Sequence, residues 1–502
     1  MNGLGDWIRY NADWAGHRVA LDMGDEAYTY AQMDAAVTRR AHLLSSGLGV
    51  QPGDHVAYLG FNSCEMLLLL FACARVGCSL LPLNNRLAPP EHTWILQHSK
   101  TRILFAEPEF EQAAHSVIED VGDLKLVSMA NDYPGLLQQA GNAPFADVGT
   151  LDDRVLLVYT SGTTGKPKGV VHKQRALFYN ALNAIHAQEM RAVDHVLNVL
   201  PLFHSGGLNI QTTPAFYVGA RVTLLRRFDP GDTLAAIREL RPTMFLAVPA
   251  VIQAMVDHPM WQNTDLSCLR MIGTGSSTVP DALLNVWHDR GVPAVQIYGM
   301  TESAPTAICL PISASQRKLG AAGKPSMHCD ARIVDEQGVP VGPNERGEIL
   351  LRGPNLLAEY LNEPELTAQA FTGGWFHTGD IGHTDDDGFF YVDDRKKDVI
   401  ISGGENIYPA ELENVLADIT ELAEYAVVGV PDAQWGEAPV ACVVLREGAA
   451  LSEMDILRHF QDRLARFKHP QAVRFFEQLP RNAMGKVLKF ELRSLLATSH
   501  KD

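Results

Sequence analysis

A chain of 502 residues exceeds what one hydrophobic core usually supports, so two to four structural units are expected. Its formal net charge of -17, with no basic run to offset it, excludes non-specific binding to nucleic acid or to anionic membrane surfaces, because an acidic field repels polyanions. The seven cysteines (Cys64, Cys73, Cys78, Cys268, Cys309, Cys329 and Cys442) stand singly with no C-x-x-C pair. They encode neither a disulfide framework nor a zinc site, and a reducing cytoplasm fits them best.

In chain order, residues 1–14 lack the apolar core of a signal peptide. Short runs rich in Val, Leu and Ile follow at 55–59, 79–83, 102–105, 155–160, 196–200, 222–225 and 244–248, separated by longer helical stretches. That rhythm predicts a large multi-layer α/β domain whose apolar strands are covered on both faces. The longest apolar run, 66–74, is about half a membrane span and ends at Arg75, so it is read as a buried helix rather than a transmembrane segment. Past residue 380 the charged, glycine-punctuated stretch 385–405 breaks the rhythm, and a boundary is placed near Asp394. The expected division is an N-terminal domain over 1–393, a hinge at 394–397 and a smaller α+β domain over 398–502. In the smaller domain a helix is expected around 409–416, strands at 425–430 and 440–445, a helix at 453–466 and then a basic stretch. The terminal residues 499–502 are no peroxisomal address.

Chemistry concentrates in YTSGTTGKPKGV, residues 159–170. Gly162, Gly165 and Gly169 let backbone approach a ligand closely, Thr160, Ser161, Thr163 and Thr164 offer hydroxyls, and Lys166 and Lys168 supply positive charge. The combination suits a polyphosphate. The spacing is not that of a Walker A loop, and neither H-E-x-x-H nor G-x-S-x-G occurs, which removes the usual arguments for a P-loop NTPase, a zinc protease or an elbow-type serine hydrolase. Four further clusters lie far apart: LPLFHSGG (200–207), QIYGMTES (296–303), WFHTGD (375–380) and PRNAMGKVLK (480–489). Taken singly, His204, Glu302, Asp380 and Lys486 read as ordinary packed, solvated or surface residues.

Together with the stretch through Arg395, these motifs resemble the adenylate-forming superfamily of acyl-CoA synthetases, peptide-synthetase adenylation domains and luciferases. DRKKDVIISGGENIYPAELE, VVGVPDAQWGE and PRNAMGKVLK look like bacterial fatty-acyl and aryl-acid CoA ligases, and LPLFHSGGLN and YGMTESAP resemble hydroxycinnamate ligases. The resemblance implies an acid–thiol ligase that uses ATP, Mg2+ and coenzyme A, with no nucleic-acid partner and with a homodimer admitted. Thr160, Ser161, Gly162, Thr163, Thr164, Gly165 and Lys168 would cover the β and γ phosphates. Gly275, Ser276, Tyr298, Gly299 and Thr301 would line adenine and the α phosphate, with Tyr298 stacked on the base and Glu302 on magnesium. Asp380 and Arg395 would hold the ribose, since an ionised carboxylate accepts from both hydroxyls of a diol. Lys486 would reach the substrate carboxylate and α phosphate, where a preorganised cation is worth ~3 to 4 kcal/mol. Lys397 is the implied pivot of a domain rotation that brings Gly403, Gly404 and Glu405 to the thiol. Thr301, Glu302, His204 and Lys486 form the implied catalytic set. One departure stands out: where relatives carry Gly-Gly-Ala-Pro, this chain has Gly275-Ser276-Ser277-Thr278, which lacks the stiffening proline.

The acid itself is expected between His204, Ser205, Gly206, Gly207 and Asn209, residues 273–277, and a segment holding Met300, Ala304 and Pro305. No lysine or arginine falls in these segments, which argues against a dicarboxylate and for a monocarboxylic acid with an apolar body, fatty or aryl. The competing readings are an acyl-AMP ligase serving a carrier protein, a luciferase-like oxygenase, and a non-catalytic nucleotide-binding paralogue. The last would tend to lose Lys486, Glu302 or Asp380, and all three are present.

Overall fold

The computed structural model describes residues 3–160, 167–276, 279–402, 405–432, 435–461, 463–482 and 485–498. The apolar runs become parallel strands, the arrangement in which a strand is covered on both faces. His55–Leu59 and Ser79–Pro82 are buried at every position, and with Ile103–Ala106, Lys125–Ser128 and Arg154–Thr160 they form the parallel part of a seven-stranded sheet. Lys168–Lys173 and Glu359–Tyr360 extend that sheet antiparallel at one edge. A second sheet of nine strands aligns Arg221–Leu224, His195–Asn198, Met244–Ala247, Met271–Gly275 and Ala294–Tyr298 in parallel.

The run at 66–74 is indeed a helix, Cys64–Val76, and all its residues but Glu65 are buried. Ser63 caps it by accepting from the Met66 amide, and Gly77 ends it in the left-handed region at φ 79°. Arg75, in its last turn, is buried and compensated: the guanidinium donates to the Asp34 carboxylate and, at 2.7 Å, to Thr38 Oγ1.

The α/β texture stops earlier than the sequence suggests. From Asp330 onward the chain builds a wholly antiparallel third sheet of Asp330–Val334, Gly347–Arg352, Phe371–Thr372, Trp375–Thr384 and Phe390–Arg395. Burial along Trp375–Thr384 alternates residue by residue, so these strands carry no continuous apolar run to announce them. Four residues, 396–399, then separate the third sheet from a fourth, built from Ile400–Ser402, Glu405–Ile407, Leu422–Asp432, Gly436–Leu445 and Ala472–Phe475. Helices Pro409–Ala417, Glu453–Arg458 and Lys489–Thr498 accompany it. The helix expected over 453–466 stops at Arg458: the Phe460 amide donates to Leu457 O, a tightened turn, and the Phe460 ring is fully buried in the core with Ile456.

Arg346 ties the last two sheets together. It donates to Asp393 at 3.1 Å and to Glu411 at 2.5 Å, and lies 4.3 Å from the centroid of the Tyr408 ring. Among the described residues no helix is long and apolar enough to cross a membrane.

Burial pushes His55, His172 and His195 down to about 4, so all three fold as neutral imidazoles. In the unfolded chain each titrates near 6.5, so the unfolded state binds more protons between about pH 6.5 and 4 and stability falls as pH drops through that window. Each histidine is expected to cost roughly 2 kcal/mol between pH 7 and pH 5. Urea unfolding at the two pH values measures this; equal midpoints would contradict it.

Candidate active site

The site forms where neighbouring parallel strands end. Met271–Gly275 and Ala294–Tyr298 pair with Gly275 opposite Ile297, so residues 275–276 and 298–299 emerge together at the carboxyl edge of the nine-stranded sheet. Ligands of α/β proteins bind at that edge. Two close approaches there require glycine: a Cβ on Gly275 would lie 2.2 Å from the Ile297 carbonyl oxygen, and one on Gly299 would lie 1.5 Å from that of Pro305. Ser276, which follows, is held at φ 73°, a conformation that costs a serine energy and that recurs at binding sites.

Asp380 is the hub. It is buried on strand Trp375–Thr384, at 3% exposure, and its register partner on the next strand is Arg395. One carboxylate oxygen accepts from the Tyr298 hydroxyl at 2.7 Å and the other pairs with Arg395 Nε at 2.7 Å. A carboxylate has about four lone-pair sites, so both oxygens can still accept. Burial alone would lower the Arg395 pKa, but Asp380, then Tyr298 and Glu302, outweigh it and the net shift is upward. Burial pushes the Tyr298 hydroxyl far above its usual range, and the neighbouring Asp380 charge adds to this, so Tyr298 remains a donor.

Thr301 and Glu302 follow Tyr298 in a short 3-10 turn, Thr301–Ser303. Backbone contacts fix it: the Leu357 amide donates to Glu302 O at 2.7 Å, and the His172 ring meets Thr301 O at 2.8 Å. His172 is neutral, so a single N–H is available for that bond. The Tyr360 hydroxyl donates to Glu302 Oε1 at 3.0 Å, and Lys168 Nζ lies 5.7 Å from the centroid of the same ring. Lys168 itself faces Thr160 across the hairpin of Arg154–Thr160 and Lys168–Lys173. The glycine-rich motif therefore opens beside Glu302. Ser161, Gly162, Thr163, Thr164 and Gly165 lie outside the described residues, as do Ser277, Thr278, Gly403 and Gly404.

Lys486 comes to this cluster from the small domain. Its amide donates to Asn482 Oδ1 at 2.9 Å, and the preceding Gly485 packs against the large domain, where a Cβ on it would lie 3.3 Å from Ala250 Cβ. Lys486 keeps access to solvent, yet the surrounding walls desolvate its ammonium and lower its pKa. Arg395 lowers it further, while Asp380 and Asp398 oppose the shift. Lys397 is exposed in the 396–399 connection, in a turn closed by the Asp398 and Val399 amides donating to Arg395 O. Glu405 is exposed at the start of strand Glu405–Ile407, with the small domain's second face.

The remaining expected residues fall in a separate wall. His204 precedes the short helical turn Ser205–Gly207, which runs into a π-helical turn, Leu208–Thr212, carrying Asn209. Burial, then the charge of Arg86, pushes the His204 imidazole down to about 4, so it is neutral, and its Nε2 has no partner among the described residues. Ser205 and Asn209 are buried, and Ser205 Oγ and Asn209 Nδ2 are likewise unpartnered. Ala304 is buried at φ 63°, Met300 donates its amide to Ser303 Oγ, and Gly206 borders open space, with only Ile210 Cδ1 near, at 3.8 Å from a Cβ placed there.

Sequence reasoning passed over His172, Tyr360 and Asp398. His172 and Tyr360 lie outside the quoted motifs, whereas Asp398 lies within the charged stretch 385–405 without being singled out there. Asp398 is buried, accepts from Arg493 at 2.7 Å and acts on Lys486 and Arg395 through space, a role that only the fold reveals.

A large α/β domain with a hydroxyl-, carboxylate- and cation-lined cleft at its strand ends, closed by a lysine from a small α+β domain, defines an adenylate-forming enzyme of the acid–thiol ligase class. Comparison with known proteins agrees. Residues 8–361 match the model of the AMP-binding enzyme family and residues 411–486 that of the AMP-binding enzyme C-terminal domain, and the chain belongs to this family. It is 46% identical over 501 residues to an indoleacetate–CoA ligase of Aromatoleum aromaticum, covering 98% of both chains. It is 41% identical over 491 residues to a feruloyl-CoA synthase of an Amycolatopsis species, again covering 98% of both. Among solved structures, an anthranilate CoA ligase in complex with anthranoyl-AMP superposes with a TM-score of 0.93 at 28% identity, covering 99% of this chain and 98% of that one.

Tyr298→Phe deletes a donor to the buried Asp380 carboxylate and is expected to cost roughly 1.5–3 kcal/mol, as hydrogen bonds to charged groups do. Denaturant unfolding measures the loss, and an unchanged stability would show that the bond contributes nothing in the free protein.

Proposed function

We propose that the protein is an AMP-forming ligase that joins an apolar monocarboxylic acid to coenzyme A, as the ligases similar to it do by name. The observation that supports this most is the buried Asp380 carboxylate paired with Arg395 and Tyr298 at the strand ends, with Lys486 of the small domain within electrostatic range of Asp380 and Arg395. Such a cluster suits a nucleotide: Asp380 accepts from the ribose hydroxyls, Arg395 donates to the same sugar, and Lys486 faces the α phosphate and the attacking acid. Residues 160–168 cover the β and γ phosphates, and Gly275, Ser276, Tyr298, Gly299 and Thr301 frame the base and α phosphate. Because the Tyr298 hydroxyl is tied to Asp380, its ring is held in one orientation for stacking.

Glu302 suits magnesium. Tyr360 engages one of its oxygens and leaves the other, and among the described residues no three or more His, Cys, Asp or Glu side chains converge, so the triphosphate would complete the coordination. Magnesium, when bound, neutralises phosphate charge. The chain does the rest: Lys486 stabilises charge where the carboxylate oxygen attacks phosphorus and pyrophosphate leaves, and His172 keeps the Thr301 backbone in place. In the second step a thiolate attacks the carbonyl carbon, and the bond to the AMP oxygen breaks. Residues 1–393, 394–397 and 398–502 then act as a fixed domain, a hinge and a mobile domain. Rotation about Lys397 would withdraw Lys486 and present Gly403, Gly404 and Glu405 to the thiol.

Neutral His204, with Ser205, Gly206, Gly207, Asn209, Met300, Ala304 and Pro305, encloses the acid. An uncharged imidazole and the lack of lysine or arginine in these segments favour an apolar body without a second charge. The cytoplasm, where thiols stay reduced, suits the seven free cysteines.

Lys486→Ala is expected to lower acid-dependent pyrophosphate release by at least about 100-fold, the scale set by loss of one preorganised charge-stabilising group. Thioester formation from supplied acyl-AMP should persist. Equal loss of both half-reactions would refute the division of labour.

A further inference from the structure

Gln211 lies in the π-helical turn Leu208–Thr212, directly after the His204–Gly207 segment, and is 1% exposed. Turns of this kind are rare and gather at functional sites. A relay fixes the orientation of its amide. Gln188 Nε2 donates at 3.0 Å to Ile210 O, which can only accept, so Gln188 Oε1 faces the other way and accepts from Gln211 Nε2 at 2.9 Å. Gln211 Nε2 also faces the Phe245 carbonyl, at 3.5 Å. Turning over either amide would set oxygen against oxygen. Gln211 Oε1 is thereby committed as an acceptor, and it is buried with no partner among the described residues.

Buried carbonyls are nearly always paired, because an unpaired one has given up water for nothing. The place of this one is informative. The Gln211 side chain packs on Gly273, where a Cβ would stand 3.3 Å from its Nε2, 3.0 Å from Leu246 Cδ1 and 3.2 Å from Ile297 Cδ1. It therefore lies where the segment 204–209 meets Gly273, both in stretches expected from the sequence to enclose the acid.

We propose that Gln211 Oε1 determines specificity by accepting a hydrogen bond from an N–H or O–H on the ring of an aryl acid. The enzyme then prefers aryl acids bearing such a donor over fatty acids and over ring analogues of the same shape without it. This inference rests on the ligase reading. An alkyl chain or a donor-less ring would leave the carbonyl unpaired in the complex, and sites built to bond a substrate N–H or O–H reject analogues that lack it far more strongly than apolar pockets reject a change in size.

The test compares kcat/KM for CoA thioester formation between indole-3-acetate and benzothiophene-3-acetate, which differ at the ring N–H, and between 4-hydroxycinnamate and cinnamate. The donor-bearing acid is expected to win by at least about tenfold in one pair. Gln211→Leu should collapse that ratio towards one while the donor-less acid is still converted. Ratios within threefold in both pairs for the wild type would overturn the inference, as would an undiminished ratio in Gln211→Leu. Should that variant fail to fold, the wild-type ratios decide alone. Equal conversion of both members of each pair would overturn the inference and leave the ligase reading standing; absence of pyrophosphate release with every acid would overturn both.

Discussion

The pairing of Asp380 with Arg395 is the interaction on which the rest of the cleft depends. A carboxylate at 3% exposure persists as an anion only if it is paired, and here one oxygen meets a guanidinium and the other a phenol. The same pair sits at the end of the third sheet, immediately before the chain crosses into the small domain, so the residue that neutralises Asp380 also begins the connection. Lys486 arrives as a second cation beside Arg395. Two buried carboxylates, Asp380 and Asp398, act on these cations, while burial, followed by the charge of Arg395, lowers the Lys486 pKa.

Around that electrostatic centre the fold supplies position. Parallel strands bring Gly275 and Tyr298 to one edge, and glycines permit backbone contacts that no side chain could share. Thr301 is held by His172 and the Glu302 backbone by Leu357, so the turn is fixed from two sides without the charged side chains being used for scaffolding. Arg346, itself paired with Asp393, reaches the small domain at Glu411 and Tyr408, and Gly485 approaches Ala250.

Much of this was legible in the sequence. The continuous apolar runs located the parallel strands within a residue or two, because burial on both faces removes polar positions altogether, and of the separated motifs the structure joins Tyr298 to Asp380 and Asp380 to Arg395. The antiparallel sheet from Asp330 was not legible, because most of its positions are only partly buried and, along Trp375–Thr384, burial alternates. The helix at 453–466 was overextended because a local periodicity could not foresee that Phe460 leaves the helix to bury itself. Tyr360, His172, Asp398 and Gln211 were missed for a common reason: each matters through a partner more than 20 residues away, which local sequence does not reveal.

In the proposed reading, nucleotide recognition uses charge and strand ends, and acid recognition uses neutral groups such as Asn209 and Gln211, both buried. The central claim is that the cleft joins the acid's own carboxylate oxygen to AMP. An acid labelled with 18O in both carboxylate oxygens, converted with ATP and CoA, tests it most directly. The account predicts one 18O in the phosphate of each AMP released and none in pyrophosphate. Label in pyrophosphate, or AMP free of label, would contradict it.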